Sequence, residues 1–225
     1  MQVDDPALSP DGASVAYVED TGIVTVDTID VPASFDLRIA RITRDGLTDV
    51  RTIVHSKTLP QSHTVTELVE PRWSPDGRLL AFWADRTDGR TGAVTGTAIF
   101  TIRTDGTGQR QVTPWSTFTG EVDWSPDGRR LVFVTHPLIL FNFDEVVSNL
   151  YTARPDGGDV RQLTDATTSA DRSTQARWTP DGHILYTRVT PDGRALWVRD
   201  ADGGHPTPIA PGGLRTHGEL QPTHH

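Results

Sequence analysis

Short apolar runs alternate with polar turns along most of the chain, and the alternation repeats four times. In every repeat, an apolar run that ends in an aromatic residue follows shortly after a turn. The four runs are Val15-Ala16-Tyr17, Leu80-Ala81-Phe82, Leu131-Val132-Phe133 and Ile184-Leu185-Tyr186. Runs of this length between turn residues are typical of β-strands. The pattern therefore predicts an all-β protein made of repeated units.

The turn before each run has the same form in all four repeats. Pro presets the backbone of such a turn, Asp bonds its local backbone, and Gly adopts the left-handed conformation. The residue just before each turn is large and apolar, and where it is a tryptophan we expect its side chain to pack between units. The turns are Ser9-Pro10-Asp11-Gly12, Ser74-Pro75-Asp76-Gly77, Ser125-Pro126-Asp127-Gly128 and Thr179-Pro180-Asp181-Gly182, preceded by Leu8, Trp73, Trp124 and Trp178.

A second turn follows downstream in each repeat. It is an Asp-Gly pair, preceded by a further apolar segment and followed by another short one, and its copies are Asp45-Gly46, Asp105-Gly106, Asp156-Gly157 and Asp202-Gly203. Each repeat therefore contains four strands, called A to D here, of which A ends at the Leu or Trp. In the first repeat, residues 21–34 carry an extra strand-like alternation, which predicts a hairpin inserted between strands B and C.

A unit of four short antiparallel strands cannot bury both of its faces alone, and radial stacking of such units as blades produces a β-propeller. We predict a propeller of four visible blades, at about residues 5–55, 66–113, 119–164 and 174–210, within one domain of residues 1–211. Residues 212–225 show no strand pattern, and we expect a disordered tail there.

The repeat also resembles a known family. The string from Glu70 to Phe82, EPRWSPDGRLLAF, with Gln111-Val112-Thr113 closing the unit, is similar to the WD40-like (PD40) repeat of TolB-type β-propellers. The same repeat occurs in the propeller domain of prolyl-oligopeptidase-family serine peptidases. The resemblance implies a TolB-like fold, and it implies six blades where only four are visible. Three arrangements remain open: the ring closes with four blades, the chain forms an open arc that associates with another chain, or the chain is a piece of a longer protein.

Loop variation points to a working face. The A–B and C–D turns are short and uniform and lie on one side of the disc, whereas the B–C and D–A loops on the other side differ in length and chemistry. Loops on a rigid scaffold carry recognition, and aromatic and Arg residues dominate binding hot spots. We therefore expect a non-enzymatic module that binds a protein or peptide through Phe141, Phe143, Trp115, Phe118, Asp85, Arg86, Arg90 and His136.

Two alternatives of a different class stay open. The third B–C loop carries His136, Asp144 and Glu145, with His55 and His63 as companions from the first D–A region, and these residue types suit a metal-assisted lyase or hydrolase. Their spacing matches no standard ligand motif, so we expect no cofactor and no metal. The second alternative is a gating propeller detached from a serine peptidase, because the chain has no G-x-S-x-G nucleophile motif of its own.

The amino-acid composition limits the classes of partner that the protein can bind. The net charge of −9 argues against nucleic acid, which requires a basic face. The chain has no cysteine, which excludes disulfides and thiolate chemistry, and no apolar run has the length of a membrane span. We expect a protein or peptide partner, or association between copies if the propeller is open. The compartment stays unassigned: cytoplasmic as written, periplasmic or extracellular if a leader has been removed.

Overall fold

The fold consists of four antiparallel sheets of four strands each. This computed structural model describes residues 3–20, 23–26, 29–32, 34–56, 65–88, 93–135 and 147–209. Each sheet is one sequence repeat, and its strands lie in the order in which they occur along the chain, with the inserted hairpin of the first repeat left aside. The predicted all-β propeller architecture of four-stranded blades is confirmed.

The first two blades have the longest strands. Blade 1 contains β1 (Val3–Leu8), β2 (Ser14–Asp20), β5 (Phe35–Thr43) and β6 (Gly46–His55). The inserted β3 (Ile23–Val26) and β4 (Ile29–Pro32) pair with each other as a separate antiparallel hairpin, which confirms the predicted insertion. Blade 2 contains β7 (Val65–Trp73), β8 (Leu79–Thr87), β9 (Val94–Arg103) and β10 (Arg110–Gln111).

The other two blades are shorter. Blade 3 contains β11 (Thr119–Trp124), β12 (Leu131–Thr135), β13 (Asn149–Ala153) and β14 (Arg161–Gln162). Blade 4 contains β15 (Arg172–Trp178), β16 (Ile184–Thr190), β17 (Gly193–Arg199) and β18 (Thr207–Pro208). The A strands β1, β7, β11 and β15 contact one another from blade to blade, so they lie innermost, toward the axis of the disc.

The repeated turn is held by its own side chains. In the second copy, the Ser74 hydroxyl donates to the Asp76 carboxylate (2.7 Å) and accepts the N–H of Leu79 (2.9 Å). Gly77 has a φ of 70°, in the left-handed region that favours glycine. The hydroxyl-to-carboxylate bond recurs in all four copies. Turn chemistry therefore accounts for the four aspartates, as predicted.

Apolar packing between consecutive blades forms the core. We call the face of a blade that meets the preceding blade its leading face, and the opposite face its trailing face. Three clusters fill the three junctions, and each joins a trailing face to the next leading face. At the second junction, for example, Ala81, Ile99 and Val112 of blade 2 pack against Trp124 and neighbouring apolar residues of blade 3.

The tryptophans also bond across the junctions. The Trp73 indole N–H donates to the carbonyl of Ala7 in blade 1, and the Trp124 indole N–H donates to the carbonyl of Arg72 in blade 2, both at 2.9 Å. Trp178 packs against the third cluster, but its indole N–H is buried and has no hydrogen-bond partner in the described part of the chain. The predicted packing of the three tryptophans between blades is confirmed.

This difference between two equivalent tryptophans yields a prediction. Trp124→Phe deletes a hydrogen bond and leaves the Arg72 carbonyl short of a donor, whereas Trp178→Phe deletes an N–H that has no described partner. Both variants replace an indole by a phenyl ring, and Trp124 is also the more deeply buried of the two, so both the hydrogen bond and the burial make its substitution the costlier one. We expect Trp124→Phe to lower the free energy of unfolding by about 1 kcal/mol more than Trp178→Phe, as measured by urea denaturation. Equal losses would show that the indole bond contributes nothing.

Candidate functional site

Four of the predicted contact residues lie together at one corner of blade 2. Asp85 and Arg86 are near the end of β8, and Trp115 begins a 3-10 helix, Trp115–Thr117, in the loop that leads to blade 3. Phe118 ends that helix in a left-handed conformation with a φ of 48°. We call these four residues the blade-2 corner. It lies at the end of the disc that carries the B–C and D–A loops, as the topology predicts.

The aromatic and cationic groups of the corner are stacked. The Arg86 guanidinium carbon lies 5.4 Å from the centre of the Trp115 ring, within the range of a cation–π interaction. Its Nε donates to the Thr95 hydroxyl at 3.2 Å, which holds the guanidinium over the ring. On its other side, Trp115 packs against Phe100, with ring centres 5.5 Å apart.

Trp115 differs from its prediction as a contact residue. Only 5% of its surface is exposed, and it belongs to the core cluster between blades 1 and 2. Its position has a close-packing cause, since a Cβ on Gly96 would lie 2.6 Å from the Trp115 carbonyl oxygen. Trp115 therefore offers a partner little surface of its own. It acts as the platform that holds Arg86.

The two remaining corner residues, Asp85 and Phe118, differ in their exposure to solvent. Asp85 is buried and pairs with Glu67 and Thr97 on the neighbouring strands, and the alternation of β8 places it on the opposite face of the sheet from Arg86. Phe118 is half-buried and adjoins Thr119, whose hydroxyl bonds that of Thr113 at 2.6 Å. This threonine contact fixes both ends of the loop that carries Trp115 and Phe118.

Most of the other predicted site residues belong to segments that the structure does not describe. Phe141, Phe143, Arg90 and His136 lie outside the described residues, as do Asp144, Glu145 and His63 of the enzyme alternative. His55 is described, and its Nδ1 lies 2.8 Å from the Asp36 carboxylate on the edge of blade 1. The part of the chain that the structure describes contains no group of three or more potential metal-binding side chains.

Sequence reasoning missed a row of polar residues on the innermost strands. Three positions before the Leu or Trp of each repeat, the backbone has a positive φ of 49° to 56°, and the A–B pairing shifts register there, as at a β-bulge. The residues in this position are Asp5, Glu70, Glu121 and Gln175. A polar residue at this position of every repeat was the signal available in the sequence.

Two of the three carboxylates in this row accept hydrogen bonds from the next blade. Asp5 accepts the backbone N–H of Glu70 at 3.0 Å, and Glu121 accepts the backbone N–H of Gln175. Asp123, two residues further along β11, accepts the N–H of Trp178 at 2.8 Å. Neighbouring A strands are thus joined by side chains that satisfy backbone donors.

Two arginines, Arg72 and Arg177, lie close to these carboxylates. A guanidinium nitrogen of Arg72 lies 3.5 Å from the Glu70 carboxylate, and the charge of Arg177 acts on both Glu121 and Asp123. Burial raises the pKa of Glu121, and the hydrogen bond from Gln175 and the charge of Arg177 offset part of that rise. Burial likewise raises the pKa of Asp123, against the N–H of Trp178 and the nearby arginines.

Two cavities open on the opposite end of the disc, among the A–B and C–D turns. One, of about 590 Å³, lies between blades 2 and 3 and is lined by Arg78, Arg103 and Arg110 with three aspartates of the turns. The other, of about 510 Å³, lies between blades 1 and 2 around Pro10 and Trp73. The expected working face is the end of the disc that carries the B–C and D–A loops. These cavities therefore lie on the opposite end from the blade-2 corner.

Comparison with known proteins supports the fold and little beyond it. No protein-family profile matches the chain. A 135-residue stretch, 59% of the chain, is 28% identical to the uncharacterized peptidase YuxL of Bacillus subtilis, of which it covers 17%. TolB from Acinetobacter baumannii matches over 93% of this chain and 44% of its own, with a TM-score of 0.57 and 15% identity. A puromycin-hydrolyzing peptidase of Mycobacterium tuberculosis matches over 96% and 30%, with a TM-score of 0.60 and 14% identity.

These likenesses show a β-propeller fold of the type found in TolB and in peptidase propellers, as the resemblance implied. The chain spans less than half the length of each protein just named. In the described residues, no helix is long and apolar enough to cross a membrane.

The buried carboxylate of Glu121 yields a prediction about pH. Because burial raises its folded pKa above the unfolded value of about 4.3, its contribution to stability is fully present below pH 4.3 and is lost as pH rises through the folded pKa. Glu121→Gln keeps an acceptor for the Gln175 N–H and removes the titration. We expect this variant to lose less unfolding free energy than the wild type between pH 4 and pH 7, by urea denaturation.

Glu121→Ala is the matched control, because it removes the acceptor as well and leaves the Gln175 N–H without its partner. We expect it to be less stable than Glu121→Gln by about 1 kcal/mol at both pH values, the usual net contribution of one hydrogen bond. Identical pH dependence in the wild type and Glu121→Gln would contradict the assignment of a raised pKa.

Proposed function

We propose that this chain is a non-enzymatic propeller module that binds a protein or peptide through the end of the disc that carries the B–C and D–A loops. The observation that supports this most is the blade-2 corner. Arg86 is held over the ring of Trp115, and the half-buried Phe118 follows in the same loop, which packs closely against Gly96. Arginine and aromatic side chains on a rigid support are the usual centres of protein interfaces.

The roles of the predicted residues differ within this proposal. Arg86 and Phe118 contact the partner directly, whereas the buried Trp115 holds Arg86 in place, and the buried Asp85 offers the partner little surface. Arg86 is already ordered by its contacts with Trp115 and Thr95, so binding costs little side-chain entropy there. Phe141, Phe143, Arg90 and His136 extend the contact surface in the proposal, from segments outside the described residues.

A second candidate function is the gating propeller of a serine peptidase. It is favoured by the stretch that is 28% identical to the B. subtilis peptidase YuxL and by the fold it shares with puromycin-hydrolyzing peptidases. The sequence as given has no G-x-S-x-G motif, so this chain would supply only the substrate-filtering part. Reading the gene beyond codon 225 for an α/β-hydrolase domain distinguishes the two candidates.

The binding proposal predicts the effect of one substitution. Arg86→Ala removes the cation from the corner, and we expect it to weaken capture of the chain's partner from a lysate of its own host at least tenfold. Arg110→Ala is the matched control, since Arg110 is exposed and lies on the opposite end of the disc. The retained protein is quantified by mass spectrometry, and urea unfolding of both variants verifies that they fold.

Equal capture by the wild type, Arg86→Ala and Arg110→Ala would remove the blade-2 corner from the proposal. The paired substitution Phe141→Ser with Phe143→Ser then tests the remainder of the predicted surface in the same assay. Loss of the partner with this pair alone would move the contact to the third B–C loop, and retention by all three variants would reject this face of the propeller.

A further inference from the structure

One buried position of the repeat carries a charge in blade 4 and an apolar side chain in the other three blades. In each blade, this residue of strand C pairs with the first residue of the apolar run of strand B. It is Ala40, Ile102 and Ala153 in blades 1, 2 and 3, and it is Arg199 in blade 4. Arg199 is only 7% exposed, so the junction between blades 3 and 4 contains a guanidinium where the repeat otherwise has an aliphatic side chain.

A second polar group lies on the same leading face of blade 4. Tyr186 occupies the position of Phe82 in blade 2 and Phe133 in blade 3, and all three side chains are almost fully buried. Blade 1 also has a tyrosine there, Tyr17. Burial raises the pKa of the Tyr186 hydroxyl, and the positive charge of Arg199 offsets part of that rise. The hydroxyl and the guanidinium are therefore electrostatic neighbours.

Both groups line a cavity between blades 3 and 4. The cavity has a volume of about 110 Å³. One water molecule needs about 10–15 Å³ of such space, so there is room for several waters or for one small ligand. Two other lining residues, Asp165 and Pro206, are exposed, so the cavity opens to solvent.

The guanidinium of Arg199 has donor capacity that the described part of the chain does not use. One terminal nitrogen donates to the carbonyl of Gly203, which orients the group from the C–D turn. The Nε is buried and has no hydrogen-bond partner in the described residues. Burial is the largest influence on the pKa of Arg199, which it lowers, and no hydrogen bond to a carboxylate offsets it.

The two acidic residues at the cavity do not neutralise this charge. Both carboxylate oxygens of Asp171 accept hydrogen bonds from Arg188, at 3.0 and 2.9 Å, and Arg188 also lies over the ring of Trp197 at 5.1 Å. Asp171 and Arg188 therefore satisfy each other. Asp165 is exposed, so water screens its charge. The charge of Arg199 is left as the uncompensated one among the described residues of the cavity.

The chemistry of the two donors defines the ligand that fits. A buried charge is costly unless a group of opposite charge pairs with it. A planar guanidinium matches the oxygen atoms of carboxylate and phosphate groups, and a phenol hydroxyl supplies one further donor. The cavity combines both donors with an opening to solvent, through which a small anion can enter.

We propose that the cavity between blades 3 and 4 binds a small oxyanion, a carboxylate or a phosphate group, through the guanidinium of Arg199 and the hydroxyl of Tyr186. The anion neutralises the buried guanidinium and occupies its Nε. This site is separate from the blade-2 corner, so the inference does not depend on the proposed partner-binding function.

NMR spectroscopy tests the proposal at the atom concerned. The ¹H–¹⁵N resonance of the Arg199 Nε–H group is assigned by its absence from the Arg199→Leu variant. Inorganic phosphate, acetate and chloride are then titrated separately into the wild type at matched ionic strength. We expect phosphate or acetate to shift this resonance to saturation and chloride to leave it in place. A response to acetate alone identifies a carboxylate site, and a response to phosphate alone identifies a phosphate site.

Substitutions measure how much each donor contributes. Arg199→Leu introduces an aliphatic side chain, as Ile102 has at the same position of blade 2, and Tyr186→Phe introduces the residue found in blades 2 and 3. We expect each variant to bind the effective anion at least tenfold more weakly, because each loses a hydrogen bond to a charged group. Affinity is obtained from the anion dependence of the urea unfolding midpoint, since a ligand of the folded state stabilises it by mass action.

Arg129→Ala is the matched control. It removes the same charge from a side chain that is 85% exposed and lies outside the cavity, so we expect the wild-type anion affinity. Equal affinity in the wild type and Arg199→Leu would overturn the proposal, as would a resonance that no oxyanion shifts. An equal response to chloride would reject recognition of an oxyanion. If Arg199→Leu does not fold, the Tyr186→Phe titration decides, and an unchanged affinity in that variant would overturn the site.

Discussion

The packing of one blade's trailing face on the next blade's leading face is the interaction on which the whole structure depends. Each sheet is narrow, with D strands of only two residues in blades 2, 3 and 4. A sheet of that size cannot bury two apolar faces by itself, so its stability comes from its neighbours. The three core clusters, the indole bonds and the carboxylate-to-backbone bonds all lie at these junctions.

The innermost strands show how the junctions are held close to the axis. A bulge in each A strand turns one residue into the left-handed region, and in two of the three junctions its carboxylate reaches the next A strand. Left-handed backbone at Asp or Glu costs about 1 kcal/mol or more, and the bond to a neighbouring N–H offsets that cost. The same geometry concentrates Arg72, Arg177, Glu121 and Asp123 along the inner strands.

The blade-2 corner joins a residue of the hydrophobic core to the variable end of the disc. Trp115 is a core residue by burial, yet its ring supports an arginine at the end of the disc where the loops vary. A surface built this way is rigid because its foundation is the hydrophobic core. The trailing face of blade 4 shows the opposite situation, where core-like residues such as Ile209 have no described cover.

The order of residues was sufficient to derive the repeat, its four strands, both kinds of turn and the interior position of the tryptophans. These features depend on local chemistry: Pro, Asp and Gly define the turn, and alternation defines which side chains of a strand share a face. The inserted hairpin of blade 1 could be derived in the same way. Arg86 was also identifiable, as an arginine next to a variable loop.

The burial of Trp115, the bulge row on the inner strands and the exposed trailing face of blade 4 became visible only in the folded chain. Trp115 and Phe118 look alike in sequence, and the close approach of the Trp115 backbone to Gly96, more than fifteen residues away, is visible only in the structure. The bulge depends on register between strands, which a residue pattern does not specify. Leu196 and Leu150 occupy the same place in their repeats, and Leu150 is buried because blade 4 covers it, whereas no described blade covers Leu196.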